Sequence, residues 1–203
     1  MKNVIWLFGS NSSGKTTQAR LIHESLSGST EKQIFAGFTD NLKWEYTLYN
    51  DTAHIGGMRE NQCTGTDTLP LKAQVALTYD EIFKRQPDID VIILDPIMST
   101  GQHVELLRKH EINLLCIYLH FETAEDNFYR VIHRRYLKTG VVEDLSDKTK
   151  DNLSRKVNNF HRLYNRAKDL CDASIKINAE EELEDIHLKI LGFLEKNMKF
   201  QHL

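Results

Sequence analysis

Long apolar runs are missing from the chain. No stretch of its 203 residues approaches the roughly 20 consecutive apolar residues of a membrane span, so no membrane association is expected. Cysteine is scarce. The three thiols, Cys63, Cys116 and Cys171, are odd in number and show no Cys-x-x-Cys spacing, which excludes a disulfide framework and suits a reducing, cytoplasmic compartment. An excess of one charge is also absent. Against 26 Lys and Arg stand 29 Asp and Glu, a net charge of -3, so any surface that binds nucleic acid must be local. The nine histidines include no i, i+4 pair or other ligand cluster, and no zinc site is expected. Repeats and low-complexity tracts are not visible either. What remains, 40% hydrophobic and 27% charged residues, is ordinary for a soluble globular protein of one domain with a substantial core. The opening MKNVIWLFG is apolar but short and runs into a glycine turn without a cleavage site, so it reads as a strand rather than a signal peptide.

Strand and helix signals alternate along the chain. Strands are expected over residues 3–8, 33–38, 89–94, 112–121 and 173–177. Helices are expected over 15–26, 70–86, 99–110, 124–138, 146–171 and 180–196. Pro87 stops the second helix, and Thr123 caps the fourth with Glu125 and Asp126 in its first turn. This alternation predicts an α/β fold: a parallel sheet with helices on both faces. The stretch 39–69 breaks the pattern. Residues 44–49 and 53–55 flank a turn at Asn50, Asp51 and Thr52, which predicts a small inserted hairpin lobe.

The run GSNSSGKTT carries the chemistry. It comprises Gly9, Ser10, Asn11, Ser12, Ser13, Gly14, Lys15, Thr16 and Thr17. Gly-x-x-x-x-Gly-Lys-Thr between a strand and a helix is the phosphate-binding loop pattern. Small residues let successive amides curl round a phosphate, and the following helix adds its positive end. Lys15 reaches the outer phosphates of ATP or another nucleoside triphosphate, and Thr16 offers a hydroxyl to Mg²⁺. A second cation ligand is expected at Asp95, which follows the apolar run Val91, Ile92, Ile93, Leu94 at the carboxyl end of a strand. Asp88 and Asp90, at the other end, read as solvated.

The guanine-reading Asn-Lys-x-Asp pattern is absent. In size and element order the chain resembles nucleoside and nucleotide kinases, whose helical lids carry arginines that neutralise the transferred group. That resemblance implies a lid over about 124–145, with Arg130 and Arg134 four residues apart on one helix face, Phe128 and Ile132 opposite, and Gly140 as a hinge. Residues 39–69 then face the acceptor. Arg59, Asn61, Gln62, Asp67 and Lys72 are the candidates for binding it, the amides by reading a base edge. A phosphate acceptor needs positive charge, whereas a hydroxyl acceptor must lose a proton, a task that suits Asp67 as general base. Many mononucleotide kinases place an arginine after the central acid, and here that position is Pro96.

The loop, the Gly65-Thr66-Asp67 turn with Lys72 following, the Asp95-Pro96-Ile97-Met98-Ser99 strand end and the arginine-rich helix together resemble the phage-encoded 5-hydroxymethyluracil DNA kinases. The resemblance implies transfer of a phosphoryl group to the hydroxymethyl of a uracil already in DNA, in the cytoplasm of the host cell, with Lys15, Thr16, Asp67 and Asp95 at the centre. A free deoxynucleoside monophosphate acceptor and a non-catalytic ATP-binding module remain as alternatives. A DNA partner would need a local basic surface. Lys148, Arg155, Arg162 and Arg166 form one stripe on a helix whose opposite stripe, Leu153, Val157, Phe160, Tyr164, Ala167 and Cys171, is apolar. Trp44, Tyr46 and Tyr49 would either stack on an extruded base or pack in the hairpin.

Overall fold

The structure, a computed structural model, describes residues 1–59, 65–69, 71–96, 105 and 107–199. Its elements run β1 (Lys2–Gly9), α1 (Lys15–Ser27), β2 (Gln33–Thr39), β3 (Leu42–Tyr49), β4 (Thr52–Ile55), a 3₁₀ turn (Thr66–Thr68), α2 (Lys72–Arg85), β5 (Val91–Leu94), β6 (Ile112–His120), α3 (Ala124–Thr139), α4 (Asp147–Ala167), β7 (Ala173–Asn178) and α5 (Leu183–Asn197). The helix expected over 99–110 lies largely outside the described residues.

The seven strands form one sheet in the order β2-β3-β4-β5-β1-β6-β7. From β4 to β7 all neighbours are parallel, while β2, β3 and β4 pair antiparallel. β1 shows why the core strands read as unbroken apolar runs. Val4, Trp6 and Phe8 enter one hydrophobic cluster, with Val75, Tyr79 and Ile82 of α2 and Phe160 of α4. Ile5 and Leu7 enter the other, with Ala19 and Ile22 of α1 and Ile186, Ile190 and Leu194 of α5. A strand covered on both faces has no polar side to alternate with. Helices cover both faces of the sheet, as the sequence predicts.

The expected hairpin forms, as β3 and β4, but within the main sheet. It forms no separate lobe, because β3 pairs with both β2 and β4, and β4 joins β5. The physical reason is a shared core: Trp44, Tyr46, Ala53 and Ile55 pack in the same cluster as Ile92 and Leu94 of β5. Two tight turns make the antiparallel section. One is the expected turn, tightened to Asn50 and Asp51 because Thr52 pairs with Tyr49 as the first residue of β4. The other joins Thr39 and Leu42 through Asp40 (φ 48°) and Asn41 (φ 63°), the two positive angles of a type I′ hairpin. Trp44, Tyr46 and Tyr49 are at most 7% exposed, so packing, not stacking on a base, is their role.

At the other flank Thr123 caps α3 reciprocally: its hydroxyl accepts from the Asp126 amide (3.2 Å) and its own amide donates to the Asp126 carboxylate (2.9 Å). On α4 Leu153, Val157, Phe160 and Ala167 are buried, while Lys148, Arg155, Arg162 and Arg166 are exposed beside the equally exposed Asp151 and Asp169. Among the described residues no helix is long and apolar enough to cross a membrane.

Candidate active site

Pairing of β1 with β5, with Trp6 opposite Leu94, brings Gly9 and Asp95, the residue after β5, to the same edge of the sheet. The loop leaves β1 at a residue that must be glycine. A Cβ on Gly9 would lie 2.2 Å from the carbonyl oxygen of Leu119 on β6. It enters α1 through Gly14 in the left-handed region (φ 86°, ψ 7°), where a side chain is strained. No side chain caps α1 and no acid occupies its first turn, so its first amides remain as donors for an anion. The hydroxyls of Ser10 and Ser13 are buried without a hydrogen-bond partner. Buried polar atoms are almost always satisfied, so these two fit a loop shaped for phosphate oxygens.

Lys15 is 6% exposed, and its Nζ donates to the Ser10 carbonyl (3.0 Å). Burial lowers its pKa to about 8, partly offset by the charges of Asp95 and Asp67; Lys156 and Arg134 push it further down. Those neighbours identify the groups within electrostatic reach of Lys15. Asp67 is brought to the site by the 3₁₀ turn, half-buried. On α3 both Arg130 and Arg134 are exposed to solvent, and Arg134 is the one whose charge is felt by Lys15. Asn127, also on α3, donates to the Asn11 carbonyl (2.6 Å) and so ties the helix to the loop.

Thr16 Oγ1 donates to Asp95 Oδ2 at 2.8 Å. Asp95 Oδ1 accepts from the Thr66 amide and from His54 Nε2, each at 3.0 Å, and the Thr66 hydroxyl accepts from the Asp95 amide. Burial alone would raise the Asp95 pKa. The His54 ring, the Thr66 amide and the Thr16 hydroxyl outweigh it and hold the carboxyl below its ordinary value. The donor set is a hydroxyl oxygen beside an ionised carboxylate, which fits Mg²⁺. Among the described residues no three His, Cys, Asp or Glu side chains converge on a cation position. Thr16 and Asp95 would therefore share the ion with phosphate oxygens, as Mg²⁺ sites of nucleotide enzymes do.

The remaining candidates divide. Thr17 is exposed on α1, and Lys72 opens α2 with an exposed side chain. Arg59 is not presented as a free cation. It forms an ion pair with Glu45, a carboxylate with no exposure on β3 that also holds Lys43 at 2.9 Å. Burial would raise the Glu45 pKa, but the hydrogen bonds from Arg59, Lys43 and Thr68 lower it to about 2. Asn61 and Gln62 lie outside the described residues. Three residues of the site escaped the sequence reading: His54, Lys156 and Glu45. Lys156 donates to Asn11 Oδ1 (3.0 Å) from α4, between the two stripes of that helix. A glutamate inside the aromatic run Trp44–Tyr46 was a visible signal; nothing local marked His54 or Lys156.

No protein-family model and no curated protein matches the chain. Among solved structures it is similar to a deoxyadenosine kinase from M. mycoides with dCMP and dCDP bound, at 13% identity and a TM-score of 0.46, covering 95% of this chain and 99% of that one. It is also similar to an uncharacterised protein from Eubacterium ventriosum, at 12% identity and a TM-score of 0.44, covering 97% and 99%. Likeness at this level transfers no activity.

Proposed function

We propose that the chain is a phosphotransferase that uses Mg²⁺ and ATP, or another nucleoside triphosphate, and delivers the phosphoryl group to a hydroxyl acceptor. The observation that carries this is the Thr16–Asp95 hydrogen bond at the mouth of a loop whose lysine is buried and whose Ser10 and Ser13 hydroxyls are unpaired. The amides of Ser10–Gly14 and Lys15 bind the polyphosphate. Thr16 and Asp95 would hold the cation, which supplies charge neutralisation on the phosphate oxygens. Arg134 and Lys156 face the same charge from α3 and α4.

The position of Asp67 favours a hydroxyl acceptor over a phosphate. Its carboxylate lies within electrostatic reach of Lys15, where the attacking group must approach the outer phosphate. Asp67 takes the proton that the acceptor hydroxyl sheds as its oxygen bonds to phosphorus and the bond to the donor's bridging oxygen breaks. An incoming phosphate would instead meet a negative charge. The ion pair of Arg59 with Glu45 supports the same side, since it leaves that arginine partly neutralised. The acceptor we propose is the hydroxymethyl of 5-hydroxymethyluracil in DNA. It rests on the resemblance carried by Asp67, Lys72 and Asp95, and the Ile97-Met98-Ser99 part of that resemblance lies outside the described residues. The exposed Lys148, Arg155, Arg162 and Arg166 are the surface available to a DNA backbone.

Labelled ATP offered with duplex and single-stranded hydroxymethyluracil DNA, free deoxynucleosides and deoxynucleoside monophosphates tests the reading. Label in DNA supports it. Label confined to monophosphates overturns the hydroxyl acceptor; label confined to free deoxynucleosides retains that chemistry and overturns the DNA. ATP binding without any transfer leaves a non-catalytic module.

A further inference from the structure

A buried row of side chains runs from the loop into the core. Thr16 Oγ1 is 2.8 Å from Asp95 Oδ2, Asp95 Oδ1 is 3.0 Å from His54 Nε2, His54 Nδ1 is 3.1 Å from His23 Nε2, and His23 Nδ1 is 2.8 Å from the Thr52 hydroxyl. Asp95, His54, His23 and Thr52 are each at most 1% exposed. His23 is further clamped by stacking on Tyr49, with ring centroids 4.3 Å apart and planes 13° from parallel. All four ring nitrogens are engaged, and every link joins a different element: α1, β4 and the end of β5.

The two oxygens of Asp95 are not equivalent. Oδ1 accepts two hydrogen bonds, from the Thr66 amide and His54; Oδ2 accepts one, from Thr16. A carboxylate oxygen accommodates about two such partners, so Oδ1 is filled and Oδ2 keeps capacity. Rotation about the Cβ–Cγ bond would exchange them, and the ring of His54 resists it because His23 fixes its other nitrogen. An ionised Asp95 is acceptor-only, so Nε2 of His54 must carry the hydrogen of that bond.

We propose that His54 is a positioning residue for cation binding: its Nε2–H occupies Asp95 Oδ1, with the ring fixed by His23, and thereby reserves Oδ2, beside Thr16, for the divalent ion that accompanies the nucleotide. The inference rests on the phosphotransferase reading above. It explains why a polar ring, not an aliphatic one, sits in a fully buried strand between Ala53 and Ile55. Hydrogen-bonded partners of ligating carboxylates typically govern metal affinity by 10- to 100-fold.

Two measurements test it. In the ligand-free protein, nitrogen-15 NMR of the histidine rings is expected to show His54 Nε2 protonated; a bare Nε2 overturns the assignment, whatever the variants do. Binding of a fluorescent ATP analogue is then titrated with Mg²⁺. His54→Ala is expected to raise the Mg²⁺ midpoint about 10- to 100-fold with Mg²⁺-free affinity within about twofold, and His54→Gln, whose amide can reach the Nε2 position, to recover most of the loss. Equal weakening with and without Mg²⁺, or an unchanged midpoint, means that His54 only packs, and overturns the proposal. If the unaltered protein binds no nucleotide, the phosphate reading of the loop fails and the cation role falls with it.

Discussion

Replacing Lys15 with methionine should make the ligand-free protein more stable while abolishing nucleotide binding. The ammonium is buried, and its pKa falls from 10.5 to about 8, chiefly by desolvation. A shift of that size corresponds to ~3 kcal/mol held against the folded state at neutral pH. Methionine fills a similar volume without charge, but it forfeits the hydrogen bond to the Ser10 carbonyl, worth about 1–2 kcal/mol. The net expectation is a gain of about 1–2 kcal/mol, or a rise in Tm of about 2–8 °C for a domain of this size. The pH dependence gives the sign a second check. Between pH 8 and 10.5 the unfolded chain holds the Lys15 proton and the folded chain does not. Stability of the unaltered protein therefore rises through that window, relative to Lys15→Met, and the gap between the two closes. Urea denaturation of both proteins at pH 7 and pH 9.5, with ATP binding measured in parallel, is the assay. A variant less stable than the parent at pH 7, or a gap that does not shrink with pH, refutes the account of a lysine strained by burial and reserved for phosphate.

Asp95→Asn should lower Mg²⁺-dependent nucleotide affinity by about 10- to 100-fold, measured by calorimetry, while the circular dichroism spectrum is retained. Asp67→Asn should slow transfer by about 10²- to 10⁴-fold with ATP affinity unchanged; an effect confined to acceptor KM would make Asp67 a recognition residue instead. Glu45 has a folded pKa of about 2, below its ordinary 4.5, so its ion pairs stabilise the protein above pH 4.5 and that contribution is lost as pH falls toward 2. Glu45→Gln should accordingly flatten the acid limb of stability against pH in urea melts, and an unaltered slope would show that Arg59 and Lys43 do not hold the carboxylate.

Much of the fold was legible because the core strands declare themselves locally. Residues 3–8 of β1 and 112–121 around β6 are apolar on both faces, and only a sheet covered on both sides uses such strands. The Thr123 cap was equally local, since Thr, Glu and Asp act within one turn. The hairpin was legible but its place in the main sheet was not, because its alternating aromatics identify a buried face without saying whose core receives it. The ion pair of Arg59 was hidden for a related reason: its partner, Glu45, is 14 residues away in sequence, on β3.

Residues 9–16 determined by themselves the turn between β1 and α1 that carries the phosphate-loop pattern, since small residues and a left-handed glycine act through neighbouring backbone alone. Sequence spacing likewise marked Asp95 as a strand-end acid. Tertiary structure decided the rest: that Asp95 meets Thr16, that Asp67 lies near Lys15, that Lys156 reaches the loop from a helix 145 residues further on, and that two histidines back the carboxylate. Those are contacts between side chains distant in sequence. Their energies depend on burial and direction, which arise only when the sheet has closed around them.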